Sequence, residues 1–390
     1  MTREKVLELA KEISPWLIEV RRDFHMYPEL GMEEFRTQEK ICEYLDEFKI
    51  SYKKIVKTGV IGEIIPKNTK KIIALRADID ALPILEKNDV PYRSKIDGKM
   101  HACGHDAHTA ILLGVAKILG DKKELLEELK LGVRFIFQPA EETVGGAKPM
   151  IEEGVLEGVD RVFGLHVSTL LETGTMQYKY DQMNASSDSI EIEVKGKSCH
   201  GAYPGNGVDA IVITAQLITA LQSVVSRMDA RESAVLTIGT IHGGDTFNVI
   251  SNSVKLTGTL RTLNPNIRKD ILEKIRNLVE ILPQSMGGEG ILDSVPGYCA
   301  LINENSMVEF VKNNGIDILG ENGVLEKQLP NMGVEDFSYY LENVKGAFFY
   351  LGARNSEKGI IASAHNEYFD IDEEALHLGV AIQILNVIRS

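Results

Sequence analysis

The chain has 390 residues, 44% of them hydrophobic and 26% charged, which suits two or three domains and supplies more than one core. A formal net charge of −14 at pH 7 argues against general nucleic-acid binding, and no apolar run reaches the ~18 residues of a membrane span. Four cysteines in so long a chain are not a disulfide framework, and with a charged helix-like start at Met1 to Lys11 in place of a signal peptide a reduced, cytoplasmic setting is expected.

In chain order, residues 2–26 and Glu33 to Phe48 carry helical spacing. An apolar strand, Lys70 to Arg76, then runs into Asp78. Met100 to His108 packs three histidines, a cysteine and an aspartate just ahead of an apolar helix, Thr109 to Leu119. Imidazole and thiolate suit borderline-soft divalent metals, so this cluster reads first as a metal site. Strand Leu131 to Gln138 leads into Glu141-Glu142, and strand Arg161 to His166 ends in a histidine. Such alternation implies an α/β sheet covered by helices, in which ligands collect at the carboxyl ends of the strands.

From about Ser186 the texture changes. Ser189 to Val194 alternates as a half-buried strand, followed by helix Val208 to Ser226, strands Ala234 to His242 and Val254 to Arg261, helix Ile267 to Leu282 and a strand at Ile291 to Val295. This β-α-β-β-α-β order describes a separate α+β unit. A further apolar run, Gly346 to Gly352, precedes His365, and Asp370-Ile371-Asp372-Glu373 resembles a capping box before a final helix ending near Ile388. The expected organisation is a discontinuous α/β domain over 1–183 and 298–390, interrupted by an inserted domain over 184–297.

Cys103, His105, Glu142, His166 and His365 together offer five donors. That exceeds the three or so that one catalytic zinc takes from protein, but two ions sharing a water would use them all. Taken singly, His166 is more often a core histidine and His365 a surface residue; their joint occurrence favours a site. Adjacent carboxylates repel unless a cation compensates them, so Glu142 is expected as a ligand and Glu141 as the general base that coordination leaves free. Asp78 is the candidate carboxylate for the second nitrogen of a metal-bound histidine, while Asp80 reads as a turn cap. In the insertion, His200, Asn248 and Arg261 are weaker candidates for stabilising charge or holding substrate.

The segments MHACGHDAHTA, FQPAEE, GLHV, SCHGAYP, GTLRT, GVEDFSYY and HNEYFD are together similar to the amidohydrolase branch of the di-metal aminoacylase/carboxypeptidase metallopeptidases. The resemblance spans nearly the whole chain, from RRDFHMYPELGMEEFRT to the last helix. It implies a catalytic domain with a mixed sheet flanked by helices, and an inserted lid that mediates dimerisation or higher homo-oligomers. Matched residue by residue, it implies metal ligands at Cys103, His105, Glu142, His166 and His365, a base at Glu141 and a supporting aspartate at Asp78. His200 falls on a lid histidine that can reach the partner's site.

The expected reaction is hydrolysis of the amide of N-acyl amino acids. Zinc or manganese is the expected pair of ions, with cobalt and nickel acceptable to the same donors. Asn248 and Arg261 are assigned to the substrate's carboxylate. Carboxypeptidase or dipeptidase action on short peptides by the same site stays open, as do a thiol nucleophile at Cys103 and a non-catalytic binding protein. No Gly-x-Ser-x-Gly elbow supports a serine hydrolase.

Overall fold

In a computed structural model describing residues 1–390, the chain divides into two units. One comprises Met1–Asp181, Ile302–Gln328 and Asp336–Ser390; the other comprises Gln182–Leu301 with Leu329–Glu335. Leu329–Glu335 carries no periodic pattern that would separate it in sequence from the first unit.

The chain opens with α1 (Arg3–Glu12), α2 (Ser14–Met26) and α3 (Phe35–Glu47). The helical spacing over 2–26 is thus broken in two, with Pro15 in the first turn of α2, where its missing N–H leaves no bond unmade. There follow β1 (Ser51–Ile55), β2 (Gly59–Ile64), β3 (Lys71–Asp78), α4 (His105–Gly120), α5 (Lys123–Leu129), β4 (Leu131–Gln138), α6 (Ala147–Glu152), β5 (Val159–Glu172), β6 (Met176–Tyr178) and β7 (Asp181–Asn184). The middle of the chain supplies β8 (Ser186–Lys195), α7 (Ala210–Ser226), β9 (Ala234–Gly243), β10 (Ser253–Thr262), α8 (Pro265–Ser285) and β11 (Glu289–Pro296). The last stretch supplies β12 (Leu301–Asn303), α9 (Asn305–Leu319), β13 (Val324–Glu326), α10 (Ser338–Leu341), β14 (Gly346–Arg354) and α11 (Glu374–Ile388).

The first unit is built on a mixed eight-stranded sheet in the order β1-β2-β4-β3-β5-β14-β6-β13. Its centre, β4-β3-β5-β14, is parallel. These strands are buried on both faces, which is why they read as continuous apolar runs rather than alternating ones. Asp78 lies opposite Gln138, Arg76 opposite Gly164, and His166 opposite Tyr350, so Asp78, Gln138 and His166 sit at one level across the sheet. Beyond that level β5 continues to Glu172, so His166 is within the strand and not at its end as the sequence suggests.

Helices α4 and α11 pack against each other and are buried nearly all round, as helices apolar on every face must be. Each fully buried Leu or Ile there contributes about 1.5–3 kcal/mol. The expected capping box before α11 does not form. Glu373 makes no side-chain cap bond, because its carboxylate binds Arg22 at 2.6 and 2.8 Å.

In the second unit β8-α7-β9-β10-α8-β11 follows the expected order, and its sheet is antiparallel, β11-β8-β10-β9. Ile190, Ile192 and Val194 alternate inward and join Leu217, Leu221, Ile271 and Ile275 from the two helices in a separate core. Asp209 caps α7 by accepting from the Ile211 and Val212 N–H groups.

Candidate metal centre

Cys103 and His105 flank Gly104, whose φ is +90° and where a Cβ would meet Val167 Cγ2 at 2.3 Å. Only glycine turns the chain here without a clash, and α4 begins at His105, four positions before Thr109. His105, Asp106 and His108 therefore sit in its first turn. His105 is 1% exposed. Its Nδ1 donates to Asp80 Oδ1 at 3.2 Å, and its Nε2 lies 3.7 Å from Asp78 Oδ2 and 3.8 Å from Glu142 Oε1.

Asp80 does more than cap a turn. It also accepts from the Glu141 N–H at 3.1 Å and the Glu142 N–H at 3.0 Å. One carboxylate thus aims an imidazole and the two glutamates together, the orienting role that the sequence suggests for Asp78. Asp78 instead accepts from Arg76 Nη1 and His108 Nδ1, both at 2.5 Å. Because the Val167 N–H donates to His108 Nε2 at 2.9 Å, both ring nitrogens of His108 are engaged, and it braces β5 against β3 rather than facing a cation.

His166 donates from Nδ1 to the Val167 carbonyl at 2.7 Å, which leaves the lone pair on Nε2, 3.3 Å from Cys103 Sγ. His365 adopts φ +65°, held by its N–H donating to the Ala102 carbonyl at 2.7 Å. Strain of this kind persists only where the surroundings over-determine it. Its Nε2 lies 3.1 Å from Glu142 Oε1.

Donor atoms of Cys103, His105 and His166 lie within 4.8 Å of one another, as do those of Cys103, Glu142 and His365, and of His105, Glu141 and Glu142. The three groups share members, so the structure brings the five expected ligands and Glu141 into one cluster. His105 Nε2 and Glu142 Oε1 are buried with no aligned hydrogen-bond partner. Buried polar atoms are rarely left so, and a cation fits both, beside a thiol and two further imidazoles.

The field agrees. Burial disfavours an imidazolium at His105, yet Asp78, Asp80 and Glu142 outweigh it and raise the ring to about 10; the pocket calls for positive charge. Burial, with His108 nearby, pushes His166 down to about 3, the neutral form that ligates metal. Burial, reinforced by Glu142 and Glu141, pushes the Cys103 thiol well above its ordinary value. With the thiol raised and its histidine neighbour lowered, the pair is no thiolate–imidazolium dyad, which counts against the nucleophile reading.

Sequence reasoning did not find the buried cluster behind this site. Arg21, wholly buried, donates from Nε to Asp106 at 2.8 Å and from Nη2 to Asp370 at 2.9 Å, with Glu373 at 3.5 Å. His25 Nδ1 lies 2.7 Å from Asp106 and its Nε2 3.3 Å from Glu86. This joins the turn carrying His105 to the segment that follows His365. The only sequence signal was charged residues on the apolar face of α2.

In the second unit, His200 and Val249 form an isolated bridge, and Gly201 N–H donates to the Asn248 carbonyl at 2.8 Å, so the loops of His200 and Asn248 lie side by side. His200 Nδ1 accepts from the Ala202 N–H at 3.1 Å. Arg261 is near the end of β10, opposite Ser187 and Val235, and its Nη1 is buried without a partner.

A family model described as Peptidase family M20/M25/M40 matches residues 74–385. Thermostable carboxypeptidase 1 of Saccharolobus solfataricus is 36% identical to the chain over 394 residues, covering 99% of it and 98% of that protein. N-acetylcysteine deacetylase of Bacillus subtilis is 39% identical over 363 residues, covering 92% and 93%. A solved dinuclear metal binding peptidase of the M20 family from Bacillus subtilis superposes with a TM-score of 0.84 at 34% identity, covering 97% of this chain and 98% of that one.

Proposed function

The chain belongs to peptidase family M20/M25/M40 and is a metal-dependent amidohydrolase; from that premise we propose that it cleaves the amide of N-acyl amino acids at a two-metal site. The observation that carries the reading is the pair of buried atoms with no aligned hydrogen bond, His105 Nε2 and Glu142 Oε1, within the interlocked donor groups. Cys103, His105, Glu142, His166 and His365 are the proposed ligands, and two divalent ions, zinc or manganese before cobalt or nickel, suit that donor set. When bound, such a pair polarises an acyl carbonyl and acidifies a shared water.

Glu141 is the proposed base. It takes the proton of the attacking water and delivers it to the leaving amine. Its backbone is held by Asp80, which suits a group that must stay aimed through both transfers. In the second unit, His200 is proposed to meet charge developing on the carbonyl oxygen, in an active site completed across a homodimer or larger assembly. Arg261 and Asn248 are proposed to hold the substrate's α-carboxylate, for which a guanidinium offers two parallel bonds. No helix is long and apolar enough to cross a membrane. All four cysteines are unpaired, which suits the proposed cytoplasmic location.

The test joins elemental analysis to kinetics on N-acetyl, N-benzoyl and indole-acetyl amino acids, with short peptides included because one relative is named a carboxypeptidase. Glu142→Ala is expected to lose metal. Glu141→Ala is expected to keep metal while kcat falls by about 10²–10⁴-fold. A metal-loaded Glu141→Ala protein with near-parental kcat would reject the base, and faster turnover of peptides than of acyl amino acids would reject the substrate class.

A further inference from the structure

Glu141 leaves the sheet through an unusual residue. Ala140, wholly buried, has φ +56°, a left-handed conformation that a non-glycine residue adopts only at a cost. Its N–H donates to Glu34 Oε1 at 2.9 Å, and the next two N–H groups donate to Asp80. Three consecutive amides are thus gripped by two carboxylates. Glu34 comes from a different part of the unit, just before α3, and is itself fully buried. Its other oxygen, Oε2, accepts from the Thr58 hydroxyl at 2.6 Å, in the β1–β2 turn that Gln38 also pins through the Lys57 and Gly59 carbonyls at 3.1 Å. Gly31 lets this segment approach, since a Cβ there would meet Thr143 Oγ1 at 2.4 Å and Ala140 Cα at 3.0 Å.

A buried carboxylate close to Asp80 is costly, and an apolar side chain would fill the space more cheaply. Burial and the neighbouring Asp80 charge indeed push Glu34 up to about 7, against the opposing Thr58 bond. What an apolar residue lacks is an acceptor for the Ala140 N–H. We infer that Glu34 is a positioning residue for the general base, holding Ala140 in the left-handed turn from which Glu141 is aimed at the reacting water. This rests on the reading of Glu141 as the base. The Glu34 carboxylate bonds the Ala140 N–H and the Thr58 hydroxyl and none of the proposed metal donors, so its removal is expected to act on the chemical step and to leave substrate binding and metal content alone.

The test compares Glu34→Leu, Glu34→Gln and Glu34→Asp in the metal-loaded enzyme, with metal stoichiometry, kcat and KM read on an N-acetyl amino acid. Glu34→Leu removes the acceptor; Glu34→Asp withdraws it by one methylene and keeps the pocket polar should the leucine protein fail to fold. Both are expected to lose about 10–100-fold in kcat, the scale of a misplaced catalytic group, with KM and bound metal within about 2-fold. Glu34→Gln retains an oxygen for Ala140, and the Thr58 hydroxyl can turn to accept from its amide, so kcat is expected to recover to within about 3-fold of the parent. Parental kcat in folded Glu34→Leu or Glu34→Asp, equal losses in the glutamine and leucine proteins, or loss of metal in step with kcat would each overturn the inference. Glu141→Ala, run alongside, separates the two readings. Turnover surviving there removes the base assignment itself, whereas an inactive Glu141→Ala beside a fully active Glu34→Leu removes only the positioning role.

Discussion

Asp80→Asn keeps the side chain's shape and removes its charge. The carboxylate receives three donors: the Glu141 N–H and His105 Nδ1 on Oδ1, at 3.1 and 3.2 Å, and the Glu142 N–H on Oδ2 at 3.0 Å. However the asparagine amide turns, its NH₂ group faces at least one of these donors. A buried donor left unpaired costs about 1–3 kcal/mol, and the surviving bonds lose their charge assistance, which roughly doubles a hydrogen bond's strength. The sum is about 2–4 kcal/mol of folding stability. Loss of the carboxylate behind His105 also loosens a proposed ligand, which typically costs 10–100-fold in metal affinity. Thermal unfolding of the chelated protein and competition with a chromophoric chelator measure the two effects separately. Asp78→Asn is the control, since it leaves all three Asp80 bonds in place, and its loss of metal affinity is expected to be the smaller. Parental affinity in Asp80→Asn, or a larger loss in Asp78→Asn, refutes the reasoning.

Glu34 gives a pH signature in the chelated protein. Its folded value of about 7 lies above the ordinary 4.5, so folding binds a proton between those values and stability falls as pH rises through them. Glu34→Gln has no such proton; at about 1.4 kcal/mol per pH unit its advantage over the parent should grow from nil below pH 4.5 to at most about 3 kcal/mol above pH 7. Equal differences in melting temperature at pH 5 and pH 8 would contradict this. Gly104→Ala combines left-handed strain with a 2.3 Å contact to Val167, and is expected to cost about 2–5 kcal/mol with reduced metal content; a parental melting temperature tells against the geometry. Mixing inactive His200→Ala with inactive Glu141→Ala subunits should restore activity if sites are completed across a dimer. No recovery despite proven subunit exchange would remove His200 from the partner's site.

The donor cluster was legible in sequence because metal chemistry restricts residue types and because an α/β sheet gathers them at one level. Cys103, His105, Glu142, His166 and His365 stood out by residue type and by the family resemblance, although His166 lies within β5 and Cys103, Glu142 and His365 lie on loops. The inserted unit was legible from its alternation, as at Ile190, Ile192 and Val194. Which aspartate orients His105 was not, since Asp78 and Asp80 stand two positions apart and only the path of the chain beyond β3 decides which carboxylate lies under the ring. The failed capping box has the same origin. Asp370 and Glu373 have cap chemistry, but Arg21 and Arg22, some 350 positions earlier, recruit them, and no local pattern records a partner so distant. Glu34 was hidden because a buried carboxylate on a helix start looks like any surface glutamate.

The burial of Arg21 bears on how the protein comes into being. A ribosome extrudes Arg21 and Asp106 early, yet Asp370 and Glu373 are 349 and 352 positions behind Arg21. Until they emerge, the guanidinium lacks two of its three carboxylates, and leaving water would be prohibitively unfavourable. The ion pairs of helix α2 can therefore be completed only after residues 370 and 373 have emerged, and β14 likewise follows β5 in the chain. Four of the five donors are already exposed to cellular metal at that stage, without His365 and without a closed pocket. Such long-range closure is slow, and a chain cut short before residue 370 would leave Arg21 with Asp106 alone of its three carboxylates, so it is expected to melt below the full-length protein.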